Sequence, residues 1–281
     1  MEREPFEKLE ELILAGANGK VAKRLADAAA HRGFRVVTLN RSECARLLDA
    51  EHPKIHPNSI VVNCAGSTNT KFCEQNRGKA VEDNVIFAGA ISKFCEWHGL
   101  RCYYLSTETV FGKNSSFTLP TENDIPFPQT WYGATKRLGE LASADFAARV
   151  IRLPLLVDID DPETVFGKLI NRLKSGFPIK CSKICYSTPV TYTEAAEGIL
   201  DCVSQTYQTD ANTFHITGSQ YANVFEILSR LSQNRGLNTE LIGEFCHDQD
   251  QIQLLLRFGG LTSTNRPIIH STIFEDNANA M

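Results

Sequence analysis

Short apolar runs alternate along the first half of the chain with longer stretches in which apolar residues recur at helical spacing. Strands are predicted at 12–15, 35–39, 59–64, 102–105 and 149–156. Helices between them are predicted at 21–30, 79–98 and 132–146. Strands that alternate with helices form parallel βαβ units, and continuous apolar strands are typical of a sheet covered on both faces. The sequence therefore predicts an α/β fold built on a doubly wound parallel sheet.

A pair of glycines stands where the first predicted strand meets the first predicted helix. Residues 16–22 follow the pattern G-x-x-G-x-x-A. Glycine is favoured there because a side chain would obstruct the tight turn and keep a pyrophosphate away from the free N–H groups of the helix. The pattern predicts a dinucleotide site of the Rossmann type, and an ordinary strand-to-helix turn is the alternative.

The end of the second predicted strand bears on the choice of nucleotide. NAD-binding proteins usually carry Asp or Glu there for the ribose 2′-hydroxyl, whereas this chain has Asn40 followed by Arg41. A carboxylate repels a 2′-phosphate, and a guanidinium binds it through two hydrogen bonds. We therefore expect NADP to be preferred over NAD. NAD stays open if Glu43 serves as a late acid, and a merely solvated Arg41 is the simplest alternative.

Tyr132 and Lys136 are four residues apart at the start of a predicted helix, so both side chains lie on one helix face. An ammonium beside a phenol favours the phenolate, and we expect the pKa of Tyr132 to fall from about 10 toward neutrality. Such a tyrosine exchanges a proton with a carbonyl or an alcohol near pH 7. Thr107 follows the strand at 102–105, and a hydroxyl at the carboxyl end of a parallel strand faces the ligand crevice. These three residues are the predicted catalytic centre.

These motifs resemble those of extended short-chain dehydrogenases/reductases, most of all the dTDP-4-dehydrorhamnose reductase branch. The similar stretches include GANGKVA, VVNCAGSTNTKFCE, LSTETVFG and PQTWYGATKRLGE. The resemblance implies a catalytic triad of Thr107, Tyr132 and Lys136, with Tyr132 and Lys136 also at the cofactor. Further cofactor contacts are implied for Gly16, Asn18, Gly19, Lys20, Val21, Asn63, Cys64, Ala65, Gly66 and Asn84. The expected substrate contacts are Glu108, Thr109 and Trp131.

The second half of the chain is less regular. Helices are predicted at 166–174, 193–205 and 224–234, and a short strand at 213–217. We expect residues 1–158 to form the dinucleotide-binding domain and residues 159–281 to form a smaller, mixed substrate-binding lobe. The prediction leaves open that a strand from this second half completes the Rossmann sheet.

Composition excludes several classes of function. The net charge is −4 without a block of like charges, which argues against binding to nucleic acid or to an acidic membrane surface. Apolar runs fall short of the roughly 18 residues of a membrane span, and the N-terminus lacks the apolar core of a secretory signal. Nine scattered cysteines without CxxC spacing indicate free thiols, no metal site and a cytoplasmic location.

Together these features predict an NADPH-dependent carbonyl reductase acting on a nucleotide-linked 4-keto sugar or a similar small ketone, with a homodimer left open. One alternative is a nucleotide-sugar epimerase or dehydratase with tightly bound NAD(P). Dehydratases commonly pair Asp and Glu after the catalytic threonine, and this chain has Glu108 and Thr109. The other alternative is a non-enzymatic NADP-binding regulatory subunit. The proline at position 154, after Leu153, resembles the same region of non-reductase relatives such as the regulatory subunit of methionine adenosyltransferase.

Overall fold

A six-stranded parallel sheet forms the centre of the computed structural model, which describes residues 11–49, 55–112, 118–204, 210–245 and 259–275. Its strands are β1 Glu11–Ala15, β2 Arg35–Leu39, β3 Ile60–Asn63, β4 Arg101–Thr107, β5 Arg149–Leu153 and β10 Thr213–His215. They are arranged in the order β10-β5-β4-β3-β1-β2. The chain leaves β1 toward β2 on one side and returns to β3 on the other. Ligands bind at such a switch point, outside the carboxyl ends of the strands.

Helices connect these strands. They are α1 Lys20–His31, α2 Arg41–Leu48, α3 Thr70–Gln75, α4 Arg77–Val81, α5 Phe87–Trp97, α6 Trp131–Ala144, α7 Val165–Lys174, α8 Tyr192–Val203 and α9 Val224–Gln233. A π-helical turn, Glu82–Ile86, joins α4 to α5. Within the described ranges, none of the helices is both long enough and apolar enough to cross a membrane.

Two apolar clusters cover the two faces of the sheet. On one face α1 buries Ala22, Leu25, Ala28 and Ala29, whose spacing of three and four places them on a single stripe that packs beside α8. On the other face α5 contributes Ile91, Phe94 and Cys95. The predicted α/β fold with a doubly wound sheet is therefore confirmed.

The second half of the chain supplies both an edge strand and a separate cluster. Strand β10 completes the sheet by pairing with β5. In the described part of the chain, three short strand pairs lie outside the sheet: β6 Leu156–Val157 with β9 Val190–Thr191, β7 Ile179–Cys181 with β12 Ile242–Glu244, and β8 Tyr186–Ser187 with β11 Ala222–Asn223. A further apolar cluster draws its members from α7, α9 and these short strands. The division at residue 158 stays a prediction, and residues on both sides of it contribute to the sheet.

Two predicted elements are interrupted in the structure. The strand predicted at 149–156 ends at Leu153, and the chain resumes as β6 after Pro154, which has no N–H for a sheet ladder. The helix predicted at 79–98 contains the π-helical turn, which holds the buried Asp83 and Asn84. Such turns are frequent at functional sites.

Candidate active site

The glycine turn after β1 touches the loop after β3. Gly16 has φ +94°, and a Cβ at this residue would lie 2.7 Å from the backbone nitrogen of Ala65. Gly19 precedes the first residue of α1, and a Cβ there would be 3.3 Å from the carbonyl oxygen of Gly16. The loops after β1 and β3 approach this closely because Gly16 has no side chain, and the missing side chain of Gly19 keeps the turn before α1 tight.

A cavity of about 200 Å³ opens beside this turn, at the switch point of the sheet. Seven of the predicted cofactor residues line it: Gly16, Asn18, Gly19, Arg41, Cys64, Ala65 and Gly66. Asn40, Asp83 and Phe87 complete the lining. Loops that are separate in the sequence therefore converge on one space, as a dinucleotide site requires.

Three other predicted cofactor residues do not line this cavity. Lys20 forms an ion pair with Asp161 at 2.5 Å. Val21 packs against the apolar cluster of its sheet face. Asn63 is buried, and its Oδ1 accepts a hydrogen bond from the backbone N–H of Ala65 at 3.0 Å, which fixes the turn after β3. Their direct contact with a cofactor stays a prediction.

Thr107 and Tyr132 meet where β4 ends and α6 begins. The Thr107 hydroxyl accepts a hydrogen bond from the backbone N–H of Thr109 and contacts the phenol of Tyr132. Thr130 caps α6 by accepting a hydrogen bond from the N–H of Gly133 at 3.0 Å. A Cβ at position 133 would be 3.1 Å from Cβ of Pro128 and would collide with the Thr109 carbonyl. The missing side chain thus lets the first turn of α6 sit against the end of β4.

Lys136 lies one helical turn further along α6, deep in the sheet crevice. Its ammonium donates a hydrogen bond to the Leu105 carbonyl at 2.7 Å and lies 4.1 Å from the ring centroid of Tyr104. A Cβ on Gly66 would be 3.8 Å from this ammonium. The lysine therefore lies directly beside the loop that lines the cavity.

Asn84 connects that loop to α6. Its side-chain amide donates hydrogen bonds to the Ser67 carbonyl and to the Thr135 hydroxyl, both at 3.0 Å. Its Oδ1 accepts a hydrogen bond from the N–H of Ser67 at 2.8 Å. These contacts agree with the supporting role near the catalytic lysine that the resemblance implied, which stays a prediction.

Burial dominates the protonation of Tyr132 and Lys136, the two titratable members of the predicted catalytic triad. It raises the pKa of Tyr132 to about 12, although the Thr107 contact lowers it. It also lowers the pKa of Lys136 to about 7, although the carboxylate of Glu140 raises it. The expected fall of the tyrosine pKa is therefore wrong for this structure, because burial disfavours the phenolate and the ammonium donates to a carbonyl.

The three predicted substrate residues differ in position. Thr109 lies beside Thr107 of the predicted triad, and the two hydroxyl oxygens are 3.0 Å apart. Trp131 donates its indole N–H to the Arg77 carbonyl at 3.2 Å, and the Arg77 guanidinium lies over its ring. The polar edge of this tryptophan is therefore already occupied by α4.

Glu108 instead contacts the second half of the chain. Its buried carboxylate accepts hydrogen bonds from the hydroxyl of Ser187 and from the N–H of Gly260. Burial raises its pKa to about 7 against these hydrogen bonds. Its predicted role at the substrate stays a prediction.

A buried ionic network next to the predicted catalytic centre was absent from the predicted site. Glu140, one turn after Lys136, accepts hydrogen bonds from Nε and Nη2 of Arg152, each at 2.9 Å. Nη1 of Arg152 is 3.2 Å from Nε2 of His215. An arginine within an apolar strand signals a buried partner, but the sequence does not indicate which residue that partner is.

The RmlD substrate binding domain family matches residues 10–246. The chain belongs to this family. The resemblance inferred from the motifs is thereby confirmed, since this family stands with the dTDP-4-dehydrorhamnose reductase branch of extended short-chain dehydrogenases/reductases.

Relatives of this RmlD-family chain include a dTDP-4-dehydrorhamnose reductase and a subunit of methionine adenosyltransferase. It is 32% identical over 132 residues to dTDP-4-dehydrorhamnose reductase of Mycolicibacterium smegmatis, a match that covers 47% of this chain and 40% of that protein. It is 35% identical over 121 residues to methionine adenosyltransferase 2 subunit beta of Rattus norvegicus, covering 41% and 35%. These matches span less than half of either relative.

A solved structure matches nearly the whole chain. It is dTDP-4-dehydrorhamnose reductase from Bacillus anthracis in complex with NADP, with a TM-score of 0.79 over 97% of this chain and 100% of that one. The sequence identity is 17%, so this likeness establishes the fold.

Proposed function

We propose that this RmlD-family protein is an NADPH-dependent carbonyl reductase. Two observations carry the proposal: Thr107 contacts Tyr132 at the end of β4, and Lys136, one helical turn further on, lies beside Gly66 of the cavity lining. A nucleotide cradle and a proton donor that share one crevice are the two requirements of hydride-transfer chemistry on a carbonyl.

The residues around the cavity fit a dinucleotide. Gly16 lines the cavity, and without a side chain its backbone lets a pyrophosphate approach. Arg41 lines the same cavity and would bind a 2′-phosphate. Lys136, buried next to Gly66, would hold the ribose near the reacting carbons. NADP-bound dTDP-4-dehydrorhamnose reductase from Bacillus anthracis has the same fold, which supports this choice of cofactor.

The protonation state of Tyr132 suits reduction. A pKa of about 12 leaves its phenol protonated at neutral pH, ready to donate to a carbonyl oxygen. Thr107 contacts that phenol and would orient the same oxygen. A bound NADPH would supply the hydride.

We propose a nucleotide-linked 4-keto sugar, or a similar small ketone, as the substrate. The family match and the reductase from Mycolicibacterium smegmatis support this class. The exposed hydroxyls of such a sugar suit the polar side chains of Thr107 and Thr109 at the end of β4.

The decisive experiment mixes the purified chain with NADPH and a panel of nucleotide-linked keto sugars and simple ketones. Net loss of NADPH absorbance with formation of the alcohol supports the reductase. A changed sugar without net loss of NADPH would instead identify an epimerase or a dehydratase that recycles its cofactor.

A non-enzymatic regulatory subunit is the second candidate. Its support is the 35% identity to methionine adenosyltransferase 2 subunit beta over 121 residues. Cofactor binding without turnover across the whole panel would favour this candidate over the reductase.

A further inference from the structure

Arg41 belongs to a cluster of two cationic and two anionic side chains at the edge of the cavity. The Arg41 guanidinium forms ion pairs with the carboxylate of Asp83 and, at 3.0 Å, with that of Glu82. The Lys79 ammonium is 3.0 Å from an oxygen of each carboxylate. The guanidinium also lies over the Phe87 ring, 5.0 Å from its centroid. The formal charges of the four ionic groups sum to zero.

Asp83 differs from Glu82 in burial and in position. The Asp83 side chain is 9% exposed and lines the cavity, whereas the Glu82 side chain is 53% exposed. The second carboxylate oxygen of Asp83 accepts a hydrogen bond from the Ser67 hydroxyl at 2.7 Å. Burial alone would raise the pKa of Asp83, but hydrogen bonds from Ser67, Lys79 and Arg41 hold it below its usual value. Its carboxylate is therefore charged at neutral pH.

This arrangement matters for the difference between the two nicotinamide dinucleotides. NADP carries a 2′-phosphate of nearly two negative charges where NAD has a hydroxyl. A phosphate that binds Arg41 must share it with the Asp83 carboxylate, and repulsion between two anions in a partly buried site is weakly screened. A ribose hydroxyl meets no such repulsion.

We propose, building on the function proposed above, that Asp83 is a specificity-determining residue of the cofactor site. By neutralising Arg41 and opposing a 2′-phosphate, it narrows the preference for NADP, so that the protein binds NAD as well. Arg41 supplies the attraction that favours NADP, and Asp83 sets how large that preference is.

The test compares two probes that differ only in the 2′-phosphate, adenosine 2′,5′-bisphosphate and adenosine 5′-monophosphate. Their dissociation constants are measured by calorimetry for the wild type and for Asp83→Asn, which keeps the size of the side chain and an acceptor for Ser67. We expect the preference for the bisphosphate to rise about tenfold, with the monophosphate bound within twofold of wild type. An unchanged preference, or weaker binding of the bisphosphate, would overturn the inference.

Two further charge deletions serve as controls. Glu82→Gln removes a more exposed contact of Arg41, and we expect its effect to be about threefold or less because solvent screens it. Glu96→Gln removes an exposed charge on α5, and we expect no change in preference. An increase of equal size in all three variants would reveal a general effect of net charge and would contradict a specific role for Asp83.

Binding of the complete dinucleotides separates this inference from the proposed function. If the wild type binds neither NADPH nor NADH, the proposed function fails and the inference fails with it. If both bind and Asp83→Asn leaves their ratio unchanged, only the inference is overturned.

Discussion

At the scale of single residues, burial determines the pKa values of the two groups predicted to be catalytic. Tyr132 and Lys136 are close in sequence and share a helix, yet the lysine donates its hydrogen bond to the Leu105 carbonyl. The pKa of Tyr132 is raised to about 12, and that of Lys136 is lowered to about 7. The phenol is thus a stable proton donor, and the lysine changes charge within the physiological range.

Replacing Tyr132 by Phe tests the proton donor. We expect kcat to fall by at least about 100-fold, because the variant lacks the hydroxyl that protonates the carbonyl. NADPH binding should stay within about threefold of wild type, since the adenosine half of the site is untouched. Tyr192→Phe, at the corresponding first turn of α8, is the matched control and should retain its activity. Full turnover by Tyr132→Phe would refute the proposed mechanism.

The titration of Lys136 makes a prediction about cofactor binding. Below pH 7 its side chain is an ammonium that attracts an anionic dinucleotide, and above pH 7 this charge is progressively lost. We therefore expect the dissociation constant of NADH to rise about tenfold between pH 6 and pH 8.5. NADH is the appropriate probe because it lacks the 2′-phosphate, whose own ionisation falls near pH 6. Fluorescence titration should give a flat profile for Lys136→Met, and an equal slope in both proteins would exclude this lysine.

At the scale of elements, α6 is held unusually close to the π-helical turn and to β4. A Cβ on Gly139 would be 2.9 Å from Cζ of Tyr104 and would also collide with the Asn84 carbonyl. The Tyr104 hydroxyl donates a hydrogen bond to that carbonyl at 3.1 Å. This close crossing fixes the distance between the helix that carries Tyr132 and the loops that line the cavity.

Gly139→Ala tests this crossing. We expect it to lower the free energy of unfolding by about 1–3 kcal/mol, because the added methyl group forces the backbones apart. Gly89→Ala is the matched control, since a Cβ on this α5 glycine would make an ordinary 3.4 Å contact with Ala142. That variant should be neutral or up to about 1 kcal/mol more stable, as alanine favours the helix. Equal losses in urea unfolding of both variants would contradict the role of close packing at residue 139.

At the scale of the whole molecule, buried and half-buried polar groups bind the segment 259–275 to the sheet. Glu108, at the end of β4, accepts a hydrogen bond from the N–H of Gly260 at 2.7 Å. Glu122 accepts hydrogen bonds from the N–H groups of His215 and Thr264. Nδ1 of His215 is 2.9 Å from the Thr262 carbonyl, which identifies Nδ1 as the protonated nitrogen of the neutral ring.

Two of these groups have opposite effects on stability as the pH changes. Burial lowers the pKa of His215 to about 4. Its contribution to the free energy of unfolding is therefore fully present above pH 6.5 and is lost as the pH falls toward 4. Burial raises the pKa of Glu108 to about 7. Its contribution to the free energy of unfolding is therefore fully present below pH 4.5 and is lost as the pH rises toward 7. The two effects nearly cancel between pH 5 and pH 7.

Single variants should separate the two contributions. Between pH 7 and pH 5 we expect the free energy of unfolding of His215→Gln to rise by about 2 kcal/mol, because Glu108 still takes up a proton over this interval and residue 215 no longer does. For Glu108→Gln it should fall by about 2 kcal/mol over the same interval. Urea unfolding at several pH values measures both slopes against the wild type. Parallel profiles for all three proteins would show that neither group titrates as its burial implies.

The sequence alone determined the position along the backbone of those predicted site residues that depend on local geometry, while their roles stay predictions. A glycine turn, a hydroxyl at a strand end and a four-residue step on a helix each follow from backbone rules that span a few residues. Thr107, Tyr132, Lys136 and the loop from Cys64 to Gly66 could therefore be predicted in place. The interruption of the long helix at 82–86 could not, because the apolar spacing continues through the π-helical turn.

Only the tertiary structure decided the charges and their partners. Arg41 meets Asp83 across 42 positions, and Glu108 meets Gly260 across 152. Burial, which reversed the expected shift of Tyr132, comes from packing between strands and helices that are distant in the chain. Motifs fix where a group stands along the backbone, but its desolvation and its ionic partners arise from contacts between segments that only the folded chain brings together.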